Sequence, residues 1–478
     1  MFLGLRLLTV QLGFVCMIDK TEIDEKSGEL GVHVANVQRD YVFGWLLAGL
    51  FHPENPLANN LILKGGNCFR KAYFEQARFS NDLDFSTQTE LNEDYLRAAI
   101  EYACKFAMEK SGVEFLIGQS RIASRESTQE DVVFYDARIY FKSFYGEENV
   151  TIKVELDVKE FDQIILPIQS KRLIHSYSDS GDCNRLLRCW KLEELLAAKL
   201  KALLQRQHSP DLYDFIYAIF FQKVLGISRL EVITTFLKKT IYEHSPHIVK
   251  GLLLDLPFQV IRGLWNEFLV CPKFSIIVFD DAEAWFRNII TELFGLLQPI
   301  PTFATAAGGF SPSYFISRSR NIIFEAGRLQ KVLRIVYDGL ARKVEPYSLA
   351  FKRRKDGVAR EYLYAWDRSG GHSREVGIKS FVSEKIQSIQ ITDESFTPRY
   401  PIELVKGAGY FAKPFSLTPR FSHSFTNTPK RKFSSGISYT IECPICGKRF
   451  KRNSYNTRLN EHKDKYGNKC FGRTGFIV

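Results

Sequence analysis

Residues 63–71, LKGGNCFRK, are followed at 78–87 by RFSNDLDFST. Side chains two apart along a strand point the same way, so Asp82 and Asp84 share one face while Leu83 and Phe85 anchor the other. Two carboxylates held so close on a strand suit a divalent cation, because Mg²⁺ is commonly bound by one or two carboxylates plus substrate phosphates. The double glycine Gly65-Gly66 lets backbone amides approach a phosphate at the start of a helix expected over NCFRKAYF, whose N-terminus favours an anion. Either feature alone reads equally as a turn or an exposed strand edge. Together they predict a site that a triphosphate bridges, with metal-assisted phosphoryl or nucleotidyl transfer as its chemistry.

A third element lies at 151–161, TIKVELDVKEF. Ile152, Val154, Leu156 and Val158 line one face of this alternating strand and leave Glu155 and Asp157 on the other, so either acid completes a carboxylate triad. Lys153 and Lys159 share that face, as they would on a solvated edge strand.

Further along, Leu192, Leu195, Leu196, Leu200 and Leu203 form an apolar helical stripe in KLEELLAAKLKALLQR. Lys199 falls near the centre of the stripe and Arg206 near its edge. A buried ammonium needs compensation, which a triphosphate, a buried aspartate or a snorkelling stem would supply. In HSPDLYDF, Ser209 reads as an N-cap with Pro210 at the first helical position, placing Asp211 in the first turn and Asp214 on nearly the same face.

The chain has 478 residues, 45% of them hydrophobic, enough for two to four domains. Mixed helix and strand signals run from 38 to 160, among them the buried helix DYVFGWLLAGLF and the strand into a turn ANNLILKGG. Helical spacing fills 186–298, short strands return over 332–405, and a Ser/Thr/Pro/Phe stretch at 412–438 reads as a linker. No internal repeat is visible. Nine cysteines is an odd count, and six of them, Cys16, Cys68, Cys104, Cys183, Cys189 and Cys271, are scattered without framework spacing, which argues against a secreted scaffold and for a reducing cytoplasm. Residues 1–16 read as a leader or a mis-assigned start, Met17 being the favoured beginning. No run approaches the ~20 apolar residues of a membrane helix.

Charge is concentrated at the C-terminus: Lys430 to Arg473 holds twelve Lys/Arg against three Asp/Glu, +9 of the total +11. There the pair Cys443 and Cys446 has a zinc-knuckle spacing, and His462 and Cys470 complete a set of three cysteines and one histidine. A module this short needs a metal staple to fold. Lys448, Arg449, Lys451 and Arg452, interleaved with Phe450 and Tyr455, suit nucleic-acid phosphates and bases, or form a solvated basic face.

The order LKGGNCFRK…RFSNDLDFS, then IKVELDV, then LEELLAAKLKALLQR…PDLYDF resembles the AbiEii/AbiGii nucleotidyltransferase toxins of the DNA polymerase β-type superfamily, over roughly residues 40–220. The resemblance implies Asp82, Asp84 and Glu155 as Mg²⁺ or Mn²⁺ ligands, with Asp211 as a base or substrate-positioning residue. It further implies that Gly65, Gly66, Asn67, Lys71 and Lys199 position the NTP. Asn67 stands where Thr or Ser is commoner, and Pro210 replaces the usual Arg, for which Arg206 one turn earlier can substitute. VEPYSL…REYLYAWDR…IKSF resembles a WYL domain, with Glu361 in place of the namesake Trp.

The fold expected is α+β: a polymerase β-type core with a mixed sheet over 17–185, a helical subdomain over 186–300, a WYL-like barrel over 301–411, a linker, and a zinc-binding basic tail over 439–478. The function implied is a cytoplasmic toxin that moves a nucleoside monophosphate from an NTP to RNA, tRNA first, or to protein, and is neutralised by a separate antitoxin. The rival is a non-catalytic nucleic-acid sensor working through the WYL-like domain and the zinc tail.

Overall fold

The computed structural model describes residues 18–126, 133–145, 150–220, 225–297, 312–353 and 358–405, with 439–443, 448–452, 459–463, 469–470 and 476–477 of the tail. The expected leader at 1–16 and linker at 412–438 lie outside the described residues. Those up to Val405 form one compact unit and those from Tyr439 another.

The first unit opens with α1 (Lys20–Leu30) and α2 (Val34–Leu50). Every residue of α2 from Asp40 to Leu50 is buried, as expected of a helix apolar on all sides. Then come β1 (Ile62–Lys64), the short α3 (Gly65–Cys68), which widens into a π turn over Phe69–Tyr73, β2 (Asp82–Thr87) and α4 (Glu93–Ser111). β3 (Arg121–Glu126), β4 (Val133–Lys142), β5 (Thr151–Glu160), β6 (Gln169–Arg172) and β7 (Leu186–Cys189) follow. The seven strands form one sheet in the order β3-β4-β5-β2-β1-β7-β6. β2 runs parallel to β5 and β1 parallel to β7; the other neighbours are antiparallel.

One face of this sheet is core. Leu83, Phe85, Val154, Leu156 and Val158 are all 0% exposed and share a cluster with Ala99, Ala103 and Cys104 of α4. Burying each of the five contributes about 1.5–3 kcal/mol. Alternation then leaves Asp82, Asp84, Glu155 and Asp157 half-buried on the opposite face.

The sequence reading ended the core at 185, whereas β7 carries the sheet to Cys189. Four residues are too few to show a period. Six helices follow: α5 (Leu192–Arg206), α6 (Ser209–Phe220), α7 (Arg229–Lys238), α8 (Pro246–Leu254), α9 (Phe258–Phe268) and α10 (Phe279–Gly295). Ser209 lies inside α6, and its hydroxyl donates to the Leu264 carbonyl at 3.2 Å, so it does not cap the helix.

After α11 (Ser317–Leu329) come β8 (Lys331–Tyr337), β9 (Leu340–Arg353), β10 (Ala359–Asp367), β11 (Gly377–Val382) and β12 (Ile386–Ser395), an antiparallel sheet ordered β11-β10-β9-β8-β12. Among the described residues no ladder joins β11 to β12, so the expected barrel is an open sheet, with α11 packed into its core. Glu361, at the namesake Trp position, is 0% exposed, pairs with Arg320 and accepts the Phe315 amide at 2.8 Å. That side chain is spent on packing. Gln205 of α5 donates to the Leu349 carbonyl of β9 at 3.0 Å, and Tyr242 lies 5.7 Å from the Phe351 ring. Such contacts merge the helical and β parts, which sequence composition separates.

In the tail, β13 (Tyr439–Glu442) lies between β14 (Arg449–Arg452) and β17 (Phe476–Ile477), while β15 (His462–Lys463) pairs with β16 (Lys469–Cys470). Among the described residues no helix is long and apolar enough to cross a membrane.

Candidate active site

The parallel register of β2 and β5 sets Asp82 beside Glu155 and Asp84 beside Asp157. Carboxylate oxygens of Asp82, Asp84 and Asp157 all lie within 4.8 Å of one another. The third acid gathered is therefore Asp157, whereas Glu155, the acid the resemblance implied, is not among the three. Glu155 turns to Lys153 at 2.7 Å and lies 3.6 Å from Arg138, with a side chain 37% exposed. Its extra methylene and those neighbouring cations draw it outward, while the shorter Asp157 stays over Asp84.

Two carboxylates within 4.8 Å of each other repel by at least about 3 kcal/mol at an effective dielectric near 20. A cation between them reverses that sign. Around Mg²⁺, oxygens at ~2.1 Å in an octahedron lie ~3 to ~4.2 Å apart, so small side-chain rotations bring the three acids into a shared shell. The donor set is all oxygen, which suits Mg²⁺ or Mn²⁺.

The double glycine makes room for this cluster. Gly65 has φ +71, and a Cβ there would overlap the Asp84 carboxylate; one on Gly66 would press on Ser80 and Arg78. Ser80 in turn donates to Asp82 at 2.8 Å. Asn67, 1% exposed, donates its amide to the Asp82 carbonyl, and its Oδ1 has no hydrogen-bond partner. Gly65, Gly66 and Asn67 thus brace the strand that carries the acids.

A buried ion network stands beside the acids. Arg78 forks onto Asp214 at 2.8 and 2.9 Å. Lys199 of α5 bridges Asp214 at 2.7 Å and Asp211 at 3.0 Å. Arg206 forks onto Asp211 at 2.7 and 2.8 Å. Of the partners open to Lys199 from sequence, buried aspartates are the ones found, and there are two. Burial works against its charge, but Asp214 and Asp211 prevail and hold its pKa above the usual lysine value. Burial would raise the Asp211 pKa, yet Arg206 and Lys199 keep it well below the carboxylate range. Asp211 is 0% exposed, and its carboxylate is held ionised by the two cations it pairs with. It positions Lys199 and Arg206. Three cations face two carboxylates here, and Arg206 also feels Asp84 and Asp82.

Lys71 is elsewhere. Its ammonium, 2% exposed, pairs with Asp40 at 3.0 Å, and Arg70 holds the same carboxylate at 2.6 Å. Burial lowers the Lys71 pKa. The residue expected as a nucleotide contact is thus found paired with Asp40. Arg78 and Asp214 had no role in the sequence reading, although Arg78 opens the quoted motif and Asp214 follows Asp211 by one helical turn.

In the tail, Cys443, His462 and Cys470 come together, with ligand atoms within 4.8 Å of one another. Cys446 lies outside the described residues.

Residues 47–269 match the family described as "Nucleotidyl transferase AbiEii toxin, Type IV TA system". The solved structure of MenT4, a nucleotidyltransferase toxin from Mycobacterium tuberculosis, is similar over 57% of this chain and 90% of its own, at 18% identity and a TM-score of 0.37. JHP933 from Helicobacter pylori is similar over 54% of this chain and 92% of its own, at 14% identity and a TM-score of 0.34. No curated protein sequence matches the chain. The matched segment contains the three gathered acids, both glycines and the whole ion network, and on that match the chain is a nucleotidyltransferase.

Proposed function

We propose that this protein is a cytoplasmic toxin that transfers a nucleoside monophosphate from an NTP to an RNA acceptor, releases pyrophosphate, and is held in check by a separate antitoxin protein. The observation that carries the reading is the meeting of Asp82, Asp84 and Asp157 within 4.8 Å on two adjacent parallel strands. Those three hold Mg²⁺, which when bound lends charge to the triphosphate. Arg206, half-buried and bonded through one edge of its guanidinium to Asp211, keeps another edge for phosphate oxygens. Lys199 contributes its field from behind. Gly65 admits Asp84 into the site without displacing the backbone.

RNA is favoured over protein as the acceptor by the same open face. Across the sheet, Asp82, Glu155, Arg138 and Arg121 stand in one cross-strand row, and Lys153 is next along β5. Arg121, Arg138 and Lys153 are exposed. Like charges directly opposite each other, as Arg121 and Arg138 are, repel, and an anionic backbone laid over them relieves that cost. The basic tail adds attraction of the same sign.

The test is incubation of purified protein with each α-labelled NTP, Mg²⁺ or Mn²⁺, total RNA and total protein. Label in RNA from wild type, absent from an Asp82→Asn/Asp84→Asn variant, is the expected result. Label in a protein band moves the acceptor to protein, and no label from folded protein with any NTP refutes the transfer.

A further inference from the structure

The tail holds a cluster that the transferase chemistry does not use. Sγ atoms of Cys443 and Cys470 are 3.7 Å apart, and a His462 ring nitrogen joins both within 4.8 Å. A tetrahedral Zn²⁺ with Zn–S bonds of ~2.3 Å has an S–S edge of ~3.8 Å. The antiparallel register of β15 and β16 places His462 directly opposite Cys470, so both project to one side. Cys443 directly follows β13, and its N–H donates to the Lys448 carbonyl at 2.9 Å.

The histidine is already oriented. Its Nδ1 lies 2.9 Å from the Asn460 carbonyl. A proton donated there makes Nε2 the basic nitrogen of the ring, the arrangement by which second partners aim ligating histidines.

Among the described residues the apolar cluster of this unit is Ile441, Cys443, Leu459 and Cys470, with Phe450 packed against it, so two of the three candidate ligands are buried within it.

We propose that Cys443, His462 and Cys470 bind a structural Zn²⁺ that staples the β15–β16 pair to the β13–β14 sheet. Each thiol gives up its proton on binding, and the thiolate pairs with the metal. The sequence offers Cys446 for a fourth position, although the three described groups carry the proposal. The alternative for the two sulfurs is a disulfide, whose bond of ~2.05 Å would need them closer.

The test uses the full chain purified without chelator. Elemental analysis is expected to give one zinc per chain, retained in Asp82→Asn/Asp84→Asn and lost in Cys443→Ser and Cys470→Ser. Because either serine variant can unfold the tail, His462→Cys is made in parallel. It is expected to keep the metal and, after exchange to Co²⁺, to strengthen the thiolate-to-cobalt absorption. Wild type free of zinc and silent with Co²⁺, zinc kept in both serine variants, or a Cys443–Cys470 disulfide by mass spectrometry overturns the proposal. None of these outcomes depends on whether the Asp82 site transfers a nucleotide.

Discussion

Replacing Asp214 with asparagine removes one charge from a network in which it is the partner of two cations. Arg78 reaches it at 2.8 and 2.9 Å and Lys199 at 2.7 Å, with the carboxylate side chain 2% exposed. At an effective dielectric near 20, each contact supplies about 6 kcal/mol of attraction, most of it offset by the cost of desolvating the ions. What remains when one partner of a buried pair is deleted is about 3–5 kcal/mol, because the other charges stay buried. Asp214→Asn leaves Arg78, Lys199 and Arg206 sharing Asp211 alone. Lys199→Met is different. Asp214 keeps its fork to Arg78 and Asp211 its fork to Arg206, and a flexible apolar chain fills the central position in the stripe of α5. Its cost should be no more than about 1–2 kcal/mol. Urea denaturation of both variants, with equal m-values, is the assay. The expected ordering is Asp214→Asn far less stable than Lys199→Met. Equal losses, or a larger loss for Lys199→Met, would refute the account of Asp214 as the residue that neutralises two buried cations.

Asp157→Asn should reduce nucleotide transfer by at least about 100-fold, as loss of a metal ligand does, whereas Glu155→Gln should cost less than about 10-fold; label incorporation under saturating Mg²⁺ compares them. Gly65→Ala puts a side chain at φ +71 against the Asp84 carboxylate, so activity should be lost while thermal unfolding falls by an amount consistent with about 1–2 kcal/mol of backbone strain; a fully active Gly65→Ala protein would contradict the close approach. Burial, helped by the cations Arg206, Arg78 and Lys199, pushes the His208 pKa down to about 3, with Asp211 opposing. Because its native pKa lies below the unfolded value near 6.5, stability from the neutral imidazole is complete above that pH and is lost as pH falls from 6.5 towards 3; His208→Gln should flatten the denaturation midpoint across that window.

Strand period, through Leu83/Phe85 and Val154/Leu156/Val158, was enough to place Asp82, Asp84, Glu155 and Asp157 on one face. It could not choose between Glu155 and Asp157, because both point the same way. The choice is made by the β2–β5 register and by Lys153 and Arg138 beside Glu155, and the Arg138 contribution crosses from another strand. Lys199 announced a buried partner by its place in an apolar stripe, but the wheel carries no information on whether that partner is ligand or protein. Lys71 shows the opposite limit. It lies within the motif, yet the π turn over Phe69–Tyr73 carries it into the core against Asp40, and a turn of that kind leaves no sequence period. The open sheet after α11 has the strand pattern of a barrel, and closure depends on ladder pairing that local residues do not encode.

The buried network is more than a fastening for α5 and α6. Apolar residues in the same places would hold the helices about as well, since a buried ion pair rarely exceeds a hydrophobic replacement in stability. What apolar residues cannot provide is a surplus cation, and three cations to two carboxylates leaves one beside a triad of acids. Arg206 feels both Asp84 and Asp82, Arg78 feels Asp82, and Arg206 is the most exposed of the three cations, at 27% of its side chain. On the proposed reading, the charge that balances the acids is also the one offered to a triphosphate. An Arg206→Lys variant separates the two roles. Its ammonium can still pair with Asp211, but it cannot fork onto that carboxylate and keep a second edge for phosphate. Stability close to wild type with transfer reduced by about 10-fold or more, chiefly through a raised KM for NTP, is the expected outcome. Unchanged KM and kcat in Arg206→Lys would mean that Arg206 serves the helices alone.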